Sequence, residues 1–442
     1  FSSLKDRIAA HEACIATVGL GYVGLPLALT ISETGFPTTG LDLNEPRVAA
    51  INAGEQVISY FREGRIREAV ISGKFSATSD FSVLDEMDVI LICVPTPLSP
   101  ARKPDLSYVV RAAESIVQWL RPGQLVVLES TVWPGATAAV VKPILEGGGL
   151  RAGEDFFLAF SPEREDPGNE KFDTRSIPKV VGADDQKSRD LIDLFYSQIV
   201  SRTVPVSSLA TAEAVKLLEN SFRTVNIALV NEMKVAMEAM GVDVWEVVKA
   251  ASTKPFGYMP FYPGPGIGGD CIPVSPAYLS WRAREVGSEL PIVDLARTNN
   301  ENAPDMIAGR VAVELSKRGG PAVPDARILI LGIAYKRDVE DTRVSPALAI
   351  LKRLEAMGAT VDYHDPYFPV MPLTRDDPEL VGRRSTPLSE EGVARYDAVV
   401  VTTDHTIVDY ALVGRSAKLI LDTRNVFAGL PPIGGGAPVV KV

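Results

Sequence analysis

Cysteine and histidine are scarce, with three of each in 442 residues. Cys14, Cys93 and Cys271 form an odd, scattered set, which argues against a disulfide scaffold and suits a reducing compartment. His11, His364 and His405, with no paired CxxC or HxxxH around them, leave no zinc site, and no metal is expected. Positive charge is also short. Against 45 Lys and Arg stand 56 Asp and Glu, a net charge of −11, whereas a nucleic-acid binder carries a basic excess or stripe. No apolar run approaches the ~18 residues that span a bilayer, and the opening FSSLKDRIAAHEAC lacks the apolar centre of a signal peptide. The expectation is a cytoplasmic protein with neither membrane nor nucleic acid as a partner. A hydrophobic share of 46% rules out a disordered chain. At ~150 residues per domain the length predicts two or three domains.

What is present is alternation. An apolar run at 13–18 leads into a glycine-rich turn and then an apolar helical stretch from Leu25. Further strands are predicted at 39–43, 88–94, 125–128, 156–160 and 179–182, and strands alternating with helices imply a parallel, doubly wound sheet. From about Thr211 to Met240 a helical pattern runs without Gly or Pro. Its apolar positions (Ala214, Leu217, Leu218, Val225, Ala228, Leu229) recur at helical spacing and predict a long spine. A loop at 256–271 is too dense in Gly and Pro for helix or strand. The α/β pattern then resumes, with strands at 327–331, 360–364, 398–402 and 419–422 and a helix at 347–357. The predicted fold is α/β, two doubly wound lobes joined by a long central helix, with a break near Gly319–Asp325.

Gly19-x-Gly21-x-x-Gly24 follows a strand and opens a helix. In such a turn the first glycine permits the tight bend, the second lets backbone approach a pyrophosphate, and the third allows close helix–strand packing. The helix N-terminus adds free N–H groups and a positive dipole end. Asp42, 23 residues after Gly19, ends the second strand. Its carboxylate suits a ribose 2′-OH and would repel a 2′-phosphate, so NAD is favoured over NADP. Arg47 nearby softens that preference.

The chemistry-bearing residues are less settled. Cys271 ends the glycine-rich loop, where its sulfur would be accessible; a buried, inert thiol is the commoner fate of a cysteine. Cys14 and Cys93, in apolar strand patterns, read as inert. Glu213, Lys216 and Asn220 share one helix face. A solvated surface is the expectation for such a face, and stabilisation of an oxyanion the alternative. Asn231 and Glu232 read as structural. Two polar clusters, 129–135 and 161–167, follow strands. With Val94-Pro95-Thr96-Pro97 they should line one crevice beyond the carboxyl ends of the sheet, although Pro, Gly and Ser also dominate plain turns.

Taken together, VGLGYVGLPLA (18–28), CVPTPL (93–98), ESTVWPGAT (129–137), SPEREDPGN (161–169), AEAVKLLENSFRTVNIALVNE (212–232), GPGIGGDCIP (264–273), LGIAYKRDVEDTRVSP (331–346) and DTRNV (422–426) resemble the UDP-glucose/GDP-mannose dehydrogenase family of nucleotide-sugar 6-dehydrogenases. SPEREDPGN, ENSFRTVNIALVNE and FGYMPFYPGPGIGG look most like its branch acting on UDP-N-acetylglucosamine or UDP-N-acetylmannosamine. The resemblance implies three parts: an NAD-binding Rossmann domain (1–205), a central helical and dimerisation domain with the cysteine loop (206–318), and a Rossmann-like UDP-sugar domain (319–442). It implies a homodimer, and a four-electron oxidation of the sugar C6 alcohol through a cysteine thiohemiacetal and thioester to the carboxylate.

The resemblance also assigns roles. Cys271 matches the nucleophile, Lys216 and Asn220 the pair that stabilises charge on the reacting oxygen, and Thr131 and Glu163 residues that position water and assist proton transfer. Cofactor contacts fall to Gly19, Gly21, Tyr22, Val23, Gly24, Asp42, Arg47, Pro95, Thr96, Thr131 and Lys336. Substrate contacts fall to Glu163, Arg164, Lys216, Asn220, Arg223, Phe261, Tyr262, Gly268, Arg343 and Arg424, arginine suiting phosphate through its two-pronged donor geometry. The loop departs from the family at two points: Ser275 stands where the family has an Asp, and Asp270 where the acetamido-sugar branch has a His. A serine supplies neither charge nor general base near neutral pH. Two other readings stay open at this point. A β-hydroxyacid dehydrogenase would share the fingerprint and the Lys-x-x-x-Asn helix but needs neither Cys271 nor a second α/β lobe. A nucleotide-sugar-binding protein with lapsed or aldehyde-stage catalysis would account for Ser275.

Overall fold

The computed structural model describes residues 1–58, 61–166, 172–269, 272–374, 377–430 and 436–442. It divides into two compact units, Phe1–Asn220 with Ala277–Glu289, and Ser221–Pro276 with Leu290–Val442. No helix among the described residues is long and apolar enough to cross a membrane.

The first unit is built on β1 (Ile15–Val18), β2 (Thr38–Leu41), β3 (Phe75–Thr78), β4 (Val89–Ile92), β5 (Leu125–Leu128), β6 (Phe157–Phe160), β7 (Lys179–Gly182) and β8 (Thr203–Val206). They form one sheet in the order β3-β2-β1-β4-β5-β6-β7-β8. The first six strands are mutually parallel and follow the order of dinucleotide-binding sheets, which hold their ligand at the carboxyl ends where the strand order reverses, here between β1 and β4. Unbroken aliphatic runs explain the central strands: VILI in β4 and LVVL in β5 are buried at every position, as strands covered on both faces must be. Leu27 and Ile31 of the Gly24–Glu33 helix and Phe195 and Tyr196 of the Gln186–Ser197 helix share one core with these strands.

The expected parallel sheet is not parallel throughout. β6 and β7 meet antiparallel, Phe160 opposite Gly182, and β7 and β8 then run parallel to each other. A parallel crossover usually needs a helix. The connection at 161–178 is rich in proline and contains no helix among its described residues, so the chain turns back instead of crossing over. The predicted long helix runs Leu209–Ala239. Not all its apolar positions face a core: Leu217 and Ala228 are buried, but Leu218 and Leu229 are exposed.

The second unit carries β9 (Arg327–Leu331), β10 (Thr360–His364), β11 (Ala398–Val401), β12 (Ile420–Asp422) and β13 (Val439–Lys441). Their order is β10-β9-β11-β12-β13, all parallel. The order reverses between β9 and β11, which makes that edge the ligand crevice of a doubly wound sheet. The Pro291–Lys317 helix, to which the sequence reading assigned no element, carries Pro304 inside it. Burial of Ile307, Ala308, Val311 and Leu315 in the second core carries the helix past the proline. Pro304 has no N–H for the Asn300 carbonyl one turn back, and that oxygen lies against Gly266, 3.3 Å from where a Cβ would stand.

Candidate active site

The turn after β1 shows why three glycines are needed. Gly19 has φ +94°, and a Cβ there would sit 2.7 Å from the Cys93 carbonyl oxygen. A Cβ on Gly24 would lie 1.8 Å from the Gly19 oxygen, so the helix could not approach the strand. At Gly21 a Cβ would meet no protein atom within 4 Å; that space suits a ligand rather than packing. The Gly24–Glu33 helix starts at Val23 with no side-chain cap, leaving its dipole end to an anion. Asp42, half-buried, accepts hydrogen bonds from the Leu20 and Asn44 N–H groups, each at 2.9 Å. Arg47 Nε donates to the Leu20 oxygen at 2.8 Å. Tyr22 is exposed beside this turn. The strand, glycines, uncapped helix and fixed carboxylate fit NAD.

The carboxyl ends of β1, β4, β5 and β6 lie side by side, so Gly19, Pro95, Thr96, Thr131, Glu163 and Arg164 share one edge of the first sheet. Ser130 Oγ donates to the Val94 oxygen at 2.7 Å and ties two of these segments together. Tyr278 Oη lies 3.0 Å from the Thr96 oxygen. On the long helix the expectation of a solvated face fails: Glu213, Lys216 and Asn220 are only 1%, 8% and 7% exposed. Glu213 accepts from Gly135 N at 2.5 Å and from Thr137 N and Oγ1 at 2.8 and 2.6 Å, which pins the segment after Thr131 to the helix. Burial pushes its carboxyl up, while the Thr137 and Gly135 bonds oppose that. Arg164 pairs with Glu219 at 2.6 Å and donates to the Pro178 oxygen at 2.7 Å.

One residue of this edge escaped the sequence reading. Lys179, at the start of β7, has a side chain only 5% exposed. Its Nζ lies 2.7 Å from Glu129 Oε2 and 3.3 Å from Glu163 Oε2. Burial would lower its pKa, but Glu129 and Glu163 raise it above the ordinary lysine value. The clue was available: a lysine inside a strand predicted to be buried is almost never fully buried unless paired. Cys93 is buried as expected, and burial, then Glu129, pushes its thiol up. Cys14 is half-buried.

In the second unit the glycine loop lies on the 335–346 segment. A Cβ on Gly268 would meet Tyr335 Cβ at 2.6 Å and the Val344 oxygen at 2.9 Å. Gly269 N donates to the Arg343 oxygen at 3.0 Å, and the Arg343 guanidinium is held by Asp341 at 2.6 Å. Arg424 Nε donates to the Thr402 oxygen at 2.9 Å, and its guanidinium lies against Gly264. Burial, then Arg337, pushes Arg424 down to about 10, still charged at neutral pH. Asp365 accepts from Ile333 N at 2.7 Å and pairs with His405 Nε2 at 3.0 Å. Asp338 N donates to His405 Nδ1 at 3.0 Å, so the loop carrying the half-buried Lys336 is closed by this imidazole. Tyr262 stacks on Trp245 at 5.6 Å, and Phe261 meets Phe222 edge-on at 5.8 Å. Arg223 is exposed on the long helix. Asn231 Oδ1 accepts from Gly264 N at 2.9 Å, the structural role expected of it. Ser275 is fully buried. Cys271 and Asp270 lie outside the described residues.

Family models for the UDP-glucose/GDP-mannose dehydrogenase family match in succession: its NAD binding domain at residues 13–200, its central domain at 210–302 and its UDP binding domain at 329–429. The chain is 34% identical over 426 residues to a UDP-N-acetyl-D-mannosamine dehydrogenase of Pyrococcus horikoshii, covering 95% of this chain and 97% of that protein. It is 35% identical over 394 residues to a UDP-N-acetyl-D-glucosamine 6-dehydrogenase of Pseudomonas aeruginosa, covering 89% and 90%. A solved structure of UDP-D-ManNAc dehydrogenase from Pyrococcus horikoshii superposes with a TM-score of 0.85 at 34% identity, covering 96% of this chain and 98% of that one.

Proposed function

Because this chain belongs to the UDP-glucose/GDP-mannose dehydrogenase family, we propose that it oxidises C6 of a UDP-linked acetamido sugar, of the N-acetylmannosamine or N-acetylglucosamine type, through to the uronic acid. The burial of Lys216 and Asn220, four residues apart on one helix face, carries this reading. Two polar groups withdrawn from water on that face are placed to act on charge developing in a substrate.

NAD, when bound, accepts hydride from C6 at both oxidations. Gly19, Gly21 and Gly24 make room for its pyrophosphate, with Tyr22, Val23, Arg47, Pro95, Thr96 and Lys336 as further contacts, and Asp42 takes the ribose. Lys216 and Asn220 stabilise the C6 oxygen as its proton passes to a water that Thr131 and Glu163 position. The Cys271 thiolate adds to the aldehyde carbon to give a thiohemiacetal, and the second oxidation leaves a thioester. Thr131 orients a water. As its oxygen adds to the acyl carbon and the C–S bond breaks, the sulfur departs as thiolate and Glu163 takes the proton. Arg343, Arg424 and Gly268 serve the UDP-sugar, with Arg164, Arg223, Phe261 and Tyr262 around it. The domain limits in this reading are 1–205, 206–318 and 319–442. Exposed Phe222, Leu229 and Met233, spaced to form one stripe on the long helix, support a homodimer. A cytoplasmic location completes the reading.

Incubating the protein with NAD and UDP-N-acetylmannosamine, UDP-N-acetylglucosamine or UDP-glucose tests it. Two NADH per acetamido sugar are expected; one would mean an aldehyde product, and none on any sugar would sink the reading. Cys271→Ser should keep NAD affinity and lose the second NADH. Unchanged stoichiometry in that variant would rule out covalent capture.

A further inference from the structure

A buried charge cluster in the first unit exceeds what the reading above uses. Lys179 directs its ammonium at three acceptors: Glu129 Oε2 at 2.7 Å, Glu163 Oε2 at 3.3 Å and the Pro162 oxygen at 3.5 Å. An ammonium has three donors, so all are engaged. Glu129 is bound from its far side by the hydroxyl of Tyr196, which donates to Oε1. Glu163 Oε1 accepts from Arg164 N at 2.7 Å and Glu165 N at 2.6 Å. Strand direction explains the placement: continuing the antiparallel register of Phe160 opposite Gly182, three residues on from Phe160 and three back from Gly182, brings Glu163 to Lys179.

We propose that Lys179 is a positioning residue for the reaction, holding Glu163 aligned and ionised while Glu129 and Tyr196 lock the lysine in place. The proposal rests on Glu163 being the proton acceptor. A purely structural buried ion pair needs one carboxylate. A second is costly, because each charge withdrawn from water must be repaid by its neighbours. Here one ammonium serves two carboxylates, 0% and 8% exposed in their side chains. Their environments differ. Burial, helped by Glu163, pushes Glu129 up despite Lys179. Burial also raises Glu163, but Lys179 first, then the Glu165 N–H and Lys216, bring it below the ordinary carboxylate range. Of roughly four lone-pair positions on the Glu163 carboxylate, three are filled by Lys179 and the Arg164 and Glu165 N–H groups. The titratable groups facing the cluster are Cys93 after β4, Glu165 beyond β6, Tyr196 on the Gln186–Ser197 helix and Lys216 on the long helix.

The test follows the rate of NADH formation with saturating NAD and UDP-sugar from about pH 3 to about pH 8, in the full chain carrying Lys179→Met, Lys179→Arg, Glu129→Gln or Glu163→Gln. NAD affinity is measured alongside. Lys179→Met removes the charge that favours the Glu163 carboxylate, so the acid limb moves up by one pH unit or more, an approximately tenfold loss at low pH that recovers in base. Lys179→Arg restores most of the limb. Glu129→Gln removes a like charge, so the limb moves the other way, to lower pH. Glu163→Gln flattens it, and none of the four alters NAD affinity. Should Lys179→Met fail to fold, the downward shift in Glu129→Gln still decides. If Glu163→Gln keeps the wild-type limb, the role of Glu163 falls and the proposal with it. If Glu163→Gln flattens the limb while Lys179→Met or Glu129→Gln leaves it unmoved, the proposal alone falls.

Discussion

Glu165 shows how a single carboxylate ties stability to pH. Burial first, and then the neighbouring Glu163, raises it to about 7, against the help of Thr174 and Arg65. A group whose pKa rises on folding gives stability that is present below its ordinary pKa and lost as pH climbs through the raised value. The folded state therefore weakens between about pH 4.5 and about pH 7. Glu165→Gln carries no such charge. It should be more stable than the natural chain by about 2–3 kcal/mol at about pH 8 and nearly equal to it at about pH 4. Urea unfolding at both values checks this; an equal difference at both would mean the gain is unrelated to ionisation. At this scale the sequence was legible by residue type but not by environment. Lys216 and Asn220 share a face in any helical reading, but their burial depends on what packs over that face. Lys179 was visible as an anomaly, a cation in an apolar strand, yet its two partners lie 50 and 16 residues away in sequence.

Among the elements, the turn from β1 into the Gly24–Glu33 helix separates packing from binding. Gly24→Ala would drive a methyl into the Gly19 carbonyl, and about 3 kcal/mol or more of stability should go with it. Gly21→Ala meets no protein atom, so thermal stability should stay unchanged while KM for NAD rises about tenfold, close to 1.4 kcal/mol. Thermal melts with NAD titrations distinguish the two; a destabilised Gly21→Ala would mean the gap is needed for folding. Central strands were read well because buried β-branched and aliphatic runs leave few alternatives, as in β5. The Pro291–Lys317 helix was given no element in the sequence reading, and its Pro304 and polar Asn299-Asn300-Glu301-Asn302 are poor local signals for a helix. Long-range burial of Val311 and Leu315 overrides that local preference, and no local pattern reveals it. The reversal at β6 and β7 was missed for a similar reason, since strand direction is set by the connection rather than by the strand.

For the molecule as a whole, this NAD-dependent nucleotide-sugar dehydrogenase has two doubly wound sheets, each with its own crevice at a reversal of strand order. Ligands that bind one crevice should stabilise the segments around it. In hydrogen–deuterium exchange, NAD alone should slow exchange at 19–24 and 42–44. UDP alone should slow it at 264–269, 332–343 and 423–424. Protection by UDP confined to the first sheet would overturn the assignment of Arg343 and Arg424 to the nucleotide. The family was legible from the sequence because its motifs fall on strand ends and helix starts, where chemistry restricts residue choice.

The backward turn between β6 and β7 ties the buried charge cluster to strand direction. Lys179 opens β7 and Glu163 lies three residues past the end of β6, on a line that continues the antiparallel register of Phe160 with Gly182. A slip of that register by one residue would turn Lys179 to the opposite face of its strand and away from both carboxylates, so this ion cluster guards the sheet against mispairing at the place where its direction changes.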